Sequence, residues 1–539
     1  MSVYIMKMIP VKLVAVITCF FSSTVSGEIS TDGSLGAQLS LSGPNYQIGA
    51  ELGQQRGNNL FHSFQNFSVF AGEKVTFLGP SDLHTVIARV TGGNLSELNG
   101  ELILPKPGVN FYFVNPAGIQ LGPKVKLDTQ GSFHFSDGDY LGFADQSTFS
   151  AYRDEPILTT AAPEQFGFLA ARSDSEIVLK GSQLEVPEQI TISAANQLKI
   201  EYGSQLVASA VDIRAQLAIL QRANITAKGN SSGLGKITIK VGERLQLQNR
   251  TRLSSTSSEE YAAGHIVLEA PWLEVDGSGD EPDEGSLINA YTRNQGNGGV
   301  IEVKSEHIVM RDDATFNVGS YDSALGKGGN IRIQTGSLLM QDQALMWSGT
   351  FGAGNAGQID IQAQQLILED QSAIASTTFS SGLGGNVKLQ VFGQLELLNE
   401  SVIMSGTEGT GAAGNVSILL GAGDLVSFLD NGESRVSVGS GVENAFTKDV
   451  RSKLNVARQR GAFVPNELFS GGGSAGQLQL STDGNFDLGS SSVKSRLSSQ
   501  PSDCALGGLL EIGKKGTKEK GMEKKLGLEE VFQASLQSE

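Results

Sequence analysis

Chemistry, if this chain performs any, must come from its carboxylates and histidines. Five histidines are present: His62, His84, His134, His265 and His307. Their spacing lacks the short paired intervals of a zinc site, so no metal centre is expected from them. Acidic residues recur as Asp312-Asp313, Glu369-Asp370 and Glu400, often just after an "L-x-L" segment. Two carboxylates across a groove could hydrolyse a glycosidic bond, and an acidic calcium cluster beside a Lys or Arg could serve a lyase. Recurrence at one position of a repeat instead predicts a solvated edge. The stretch "DGSGDEPDEG" at 276–285 holds five carboxylates in ten residues, but Glu281 stands where a calcium loop requires glycine. It reads as a surface loop. No nucleophile elbow or phosphate-binding loop is present. The residues therefore predict no enzyme and no cofactor.

The elements that carry these residues repeat. From about residue 230 the corners "GHIVLE", "GGVIEV", "GGNIRI", "GQIDIQ", "GGNVKLQ" and "GNVSILL" place a glycine before each strand, at Gly264, Gly299, Gly329, Gly357, Gly385 and Gly414. The successive intervals are 35, 30, 28, 28 and 29 residues. That regularity is a repeat architecture. Within one period, alternation predicts three short strands, Ile359-Asp360-Ile361, Leu366-Ile367-Leu368 and Ala373-Ile374-Ala375, each with one apolar face. A single period buries nothing. Stacked periods bury an aliphatic column and satisfy the backbone everywhere except at the ends. The expected fold is all-β: a right-handed parallel β-helix, its handedness following the rule for parallel crossovers.

Residues 1–27 have the layout of a secretory signal peptide: Lys7 and Lys12, the apolar run "LVAVITCFF", then "SSTVSG". Removal of that segment takes Cys19 with it and leaves Cys504 alone, so no internal disulfide is expected. A formal charge of −17 argues against nucleic acid as a partner, since that requires basic patches.

Ahead of the repeats lie two corners of a different kind. In "VNPAGIQL", Pro116 lacks an amide donor and Gly118 accepts left-handed angles, so Asn115, Pro116, Ala117, Gly118 and Ile119 predict a tight bend between strands. In "RVTGGN", a polar corner is expected at Gly92 and Gly93, with Arg89 and Asn94 capping open strand edges.

The segments "NLFHSFQNFSVFAGEKVTFLG" (59–79), "VIARVTGGNLSELNGELIL" (86–104) and "FYFVNPAGIQLGPKVKLDTQGSFHFS" (111–136), in this order, resemble the secretion domain of the filamentous haemagglutinin family. The resemblance is close over about residues 30–145. Where the family reads N-P-N-G-I, this chain has Ala117 at the third position. The resemblance implies an exoprotein exported by two-partner secretion. Its N-terminal domain would emerge unfolded in the periplasm, be read by the periplasmic domains of a dedicated outer-membrane barrel transporter, and fold outside, capping the β-helix. Asn115 to Ile119, with Arg89, Gly92, Gly93 and Asn94, would then be either turn residues or part of the address that the transporter reads. The implied division is a signal peptide at 1–27, the secretion domain at 28–170, β-helix repeats at 171–425 and an irregular C-terminal region with a charged tail at 426–539. The implied product is an adhesin-like structural protein, secreted or held at the surface of a Gram-negative-type bacterium. A host or cell-surface receptor or a glycan is its open partner class. The alternative is a secreted β-helical carbohydrate-active enzyme.

Overall fold

The computed structural model describes residues 28–421, apart from 105, 154–156, 170–174, 230–233, 258–261, 279–284, 293–294, 322–324 and 408, and four later strands. The expected signal peptide, Cys504, most of the acidic loop and most of the charged tail lie outside the described residues.

Parallel strands stack in an unbroken ladder from Asn59–Phe67 through Thr85–Val90, Asn110–Val114 and Phe133–Ser136 to Gln189–Ser193. The ladder continues through the long strands Ala210–Gln221 to Asn386–Leu397. Val416–Leu420 ends the expected repeats, and Gln477–Thr482 and Leu509–Lys514 extend the ladder into the stretch expected as irregular. A second parallel ladder runs from Gln183–Glu185 to Arg435–Ser440. The molecule is a right-handed parallel β-helix, with crossovers of the hand that parallel connections take.

The expected three strands per period become two. Ile359-Asp360-Ile361 and Leu366-Ile367-Leu368 belong to one strand, Gln358–Leu368, bent in the middle, and Ala373–Thr378 is the other. Ile359, Ile361 and Ala363 point inward, then the alternation skips a residue and resumes inward at Leu366 and Leu368. The chain turns the corner at Gln364-Gln365 without leaving its ladder, which is why no turn residues mark it. Each of these buried Ile and Leu side chains contributes about 1.5–3 kcal/mol of gross hydrophobic stabilisation.

The glycine rhythm has a steric origin. A Cβ on Gly357 would lie 1.8 Å from the carbonyl oxygen of Gly329, and one on Gly385 would lie 1.8 Å from that of Gly357. Only glycine lets consecutive corners approach so closely. The same carbonyls are satisfied from the side, as Ser348 Oγ donates to Gly329 O at 2.6 Å and Ser376 Oγ to Gly357 O at 2.8 Å. Most of the recurring acidic residues prove to be turn chemistry: Asp312-Asp313, Asp342-Gln343, Asp370-Gln371 and Asn399-Glu400 are pairs of consecutive left-handed residues, with φ between 50° and 66°, while Glu369 lies just before its pair. Asp and Asn tolerate that conformation better than other non-glycine residues.

At the N-terminal end the core is aromatic, with Phe64, Phe67, Phe77, Phe111, Phe113, Phe133 and Phe135 buried inside the coil. Antiparallel strands Ile29–Thr31 and Gly53–Arg56 pair with Asn59–Phe67 and cap the first rung. A three-stranded antiparallel sheet, Tyr140–Phe143, Thr148–Ser150 and Pro163–Gly167, lies outside the coil. It covers an outward column of Phe61, Ile87 and Tyr112 with Leu141, Phe143, Phe149 and Phe166.

Candidate transporter-recognition corner

The two corners singled out in the sequence are stacked on consecutive rungs. Thr85–Val90 pairs in parallel with Asn110–Val114, so the turn after Arg89 lies directly beside the turn after Val114. Asn115 joins them. Its Nδ2 donates to Asn94 O at 2.9 Å and to Ser96 Oγ at 2.9 Å, and its Oδ1 accepts from the Ala117 amide at 3.0 Å. Its main chain accepts from Gly118 N at 3.0 Å and donates to Ser136 O at 2.9 Å. The residue is fully buried. Asn94 Nδ2 in turn donates to Asn66 Oδ1 at 2.8 Å, and Asn66 Nδ2 to Glu28 Oε1 at 2.9 Å, so a line of amides runs back to the Glu28 carboxylate.

The glycines here serve two needs. Gly118 has φ +105°, and a Cβ on it would lie 2.8 Å from Glu176 O. A Cβ on Gly92 would lie 1.9 Å from Gln65 O, while Gly93 is left-handed at φ +76° with open space around it. Ala117 contributes its amide to the turn, a role any residue but proline can fill. Ile119 is buried in the next strand, beside Ser96 and Ile177.

Arg89 is not in the corner. It lies in the strand before it, wholly buried, with Nε donating to Ser63 Oγ at 2.7 Å, one Nη to Ser150 O at 2.7 Å and the other to Ser34 Oγ at 3.1 Å. Its guanidinium sits 4.7 Å from the centroid of the Phe149 ring. Asp32 shares the network, accepting from Ser63 Oγ, Ser34 Oγ and Thr91 Oγ1, each at 2.7 Å. Burial alone would raise the Asp32 carboxyl, but the hydrogen bonds from Ser63, Ser34 and Thr91 outweigh it and hold it below its ordinary value. Arg89 thus clasps the cap, two rungs and the outer sheet together. Sequence reasoning missed Asp32 and Ser63. The available signal was the pair Phe61 and Ile87, apolar residues on the outward side of the first rungs, which require a covering layer.

Residues 27–280 match the model of the TPS secretion domain. This chain carries the two-partner secretion domain of a filamentous haemagglutinin-like exoprotein. The secretion domain implies a partner transporter in the outer membrane and export across that membrane to the surface or the medium. Among solved structures, the chain is similar to the crystal structure of the HMW1 secretion domain from Haemophilus influenzae, at 14% identity and a TM-score of 0.32, covering 78% of this chain and 95% of that one. No curated protein matches the chain in sequence.

Two of the five histidines lie buried in the secretion domain, on opposite sides of the wall. His62 points into the coil beside Phe64 and Phe77, and burial pushes it down to about 4. His134 faces outward beneath the outer sheet, stacked on Tyr112 at 4.2 Å and hydrogen-bonded to Thr191 Oγ1, and burial again pushes it down to about 4. His84 meets Asn58, His265 meets Glu302 and His307 meets Ser337, each apart from the others. No three potential metal ligands cluster among the described residues.

Proposed function

We propose that the chain is an adhesin-like structural exoprotein, without enzymatic activity, exported through a dedicated outer-membrane barrel transporter with periplasmic recognition domains. The observation that carries this reading is the unbroken ladder. The secretion domain leads into rung after rung with no break in pairing among the described strands, so each rung that forms outside the cell templates the next. Folding outside would then bias passage outward without nucleotide energy.

In this reading the transporter address lies within residues 28–170 and is read before folding. Asn115 supports that order of events. Once folded, its carboxamide is buried and bonded to Asn94, Ser96 and Ala117, so little of it is left to offer a partner. An unfolded NPAGI segment presents the same side chain freely, and extended segments can add a strand to a transporter's sheet edge. In the same reading residues 171–425 supply the repeats of the structural β-helix, whose ladder begins in the secretion domain and continues into 426–539 at Gln477–Thr482 and Leu509–Lys514. Comparing adherence of transporter-bearing cells with and without this chain tests the adhesin reading. Adherence should rise several-fold with the chain; equal adherence would defeat it.

A further inference from the structure

Each long strand presents three outward side chains before it bends, and over successive rungs the second and third of them form two columns. One column runs Glu302, Arg332, Asp360 and Lys388. The other runs Lys304, Gln334, Gln362 and Gln390. A groove of about 450 Å³ lies along them, extending one rung further to Val267 and Glu269. Beneath it, Val303, Ile333 and Ile361 turn their side chains inward, where they are buried.

The groove is electrically balanced. Glu269, Glu302 and Asp360 are matched by Lys304, Arg332 and Lys388, on a chain whose formal charge is −17. A polyanion therefore gains no net attraction there, and Val267 is the one apolar residue of the lining that is not buried. Much of the polar capacity is also unused. Arg332 Nη1 donates to Glu302 Oε1 at 2.9 Å. The side chains of Lys304, Asp360, Lys388, Gln334, Gln362 and Gln390 make no hydrogen bond or ion pair among the described residues.

Successive strands lie ~4.8 Å apart, so these donors and acceptors recur at a fixed interval along the axis. An occupant that uses them must be linear, repeating, uncharged and able both to donate and to accept at every step. The hydroxyls of a glycan meet those conditions. An extended peptide would spend its main chain better at a sheet edge, and the strands under the groove are already paired on both sides. We infer that this groove binds an extended, uncharged glycan along the solenoid axis, an inference that rests on the adhesin-like reading and names its ligand class.

The test is calorimetric titration of the purified full chain with cellohexaose, with heparin and polyglutamate as charged probes. Saturable cellohexaose binding is expected, with affinity at least tenfold weaker in the Gln334→Ala, Gln362→Ala, Gln390→Ala triple variant at unchanged Tm. Gln362→Glu, which keeps the side-chain size, should also weaken binding should the triple variant lose stability. No saturable binding of cellohexaose, an unaltered affinity in these variants, or tighter binding of heparin or polyglutamate would overturn the inference. Adherence by a chain that does not bind cellohexaose would defeat the groove and leave the adhesin-like reading standing. Cellohexaose binding without any adherence would do the reverse.

Discussion

Asn115 Nδ2 donates to the main-chain oxygen of Asn94, 2.9 Å away and one rung back, so the two conspicuous corners of the secretion domain are a single hydrogen-bonded unit. Removing the carboxamide strands the Asn94 oxygen, the Ser96 hydroxyl and the Ala117 amide. Asn115→Ala should cost about 2–4 kcal/mol in the denaturant midpoint of the refolded chain. Ser96→Ala removes one of those bonds and should cost about 1 kcal/mol. If Asn115 is also part of the address, secreted yield should fall sharply in Asn115→Ala and stay near normal in Ser96→Ala. Normal export of both variants would leave NPAGI as a corner alone.

Gly357 packs its α-carbon against the carbonyl of Gly329. Gly357→Ala places a methyl 1.8 Å from that oxygen, which the backbone must move to relieve. A loss of about 1–3 kcal/mol is expected, within the range for overpacking. Chemical denaturation measures it, and an unchanged midpoint would contradict the close-approach account of the glycine column.

Arg89 holds the outer sheet to the coil through Ser150 and Phe149. Arg89→Ala removes its hydrogen bonds to Ser63 Oγ, Ser150 O and Ser34 Oγ together with its packing on Phe149, and should cost about 3–5 kcal/mol. Arg89→Lys should recover little, because an ammonium cannot reproduce the planar fork of donors. Hydrogen exchange should rise in Tyr140–Phe143 and Pro163–Gly167 while Gln358–Leu368 stays protected. Equal exposure of both regions would mean that the clasp is not local to the cap.

His62 and His134 make stability depend on pH. Each ring titrates near 6.5 when unfolded and at about 4 when folded, so between those values the unfolded chain binds more protons. Stability is therefore fully present above pH 6.5, falls as pH drops toward 4 and levels off below it, by about 3 kcal/mol for each ring. His62→Leu should flatten part of that slope. A midpoint that stays constant from pH 7 to pH 4.5 would contradict the buried, neutral state of both rings.

The β-helix was legible in the sequence because the glycines before each strand and the alternation of Ile359 and Ile361 are both forced by stacking. The bend inside Gln358–Leu368 was not, since a corner that keeps its ladder needs no Gly, Pro or Asn. Asn115 announced its turn through Pro116 and Gly118, but its bond to Asn94 depends on rung pairing, which no local pattern encodes. Arg89 misled for a related reason. Beside "TGGN" a lone Arg reads as a cap on an open strand edge, and its partners Ser34, Ser63 and Ser150 are remote in sequence and chemically ordinary.

The most direct test of the account is the fraction of the full chain recovered in the medium from cells that do or do not produce the partner barrel transporter. Two-partner secretion predicts folded, protease-resistant chain outside the cell when the transporter is present, and periplasmic, degraded chain when it is absent. Equal recovery in the medium without any such transporter would contradict it.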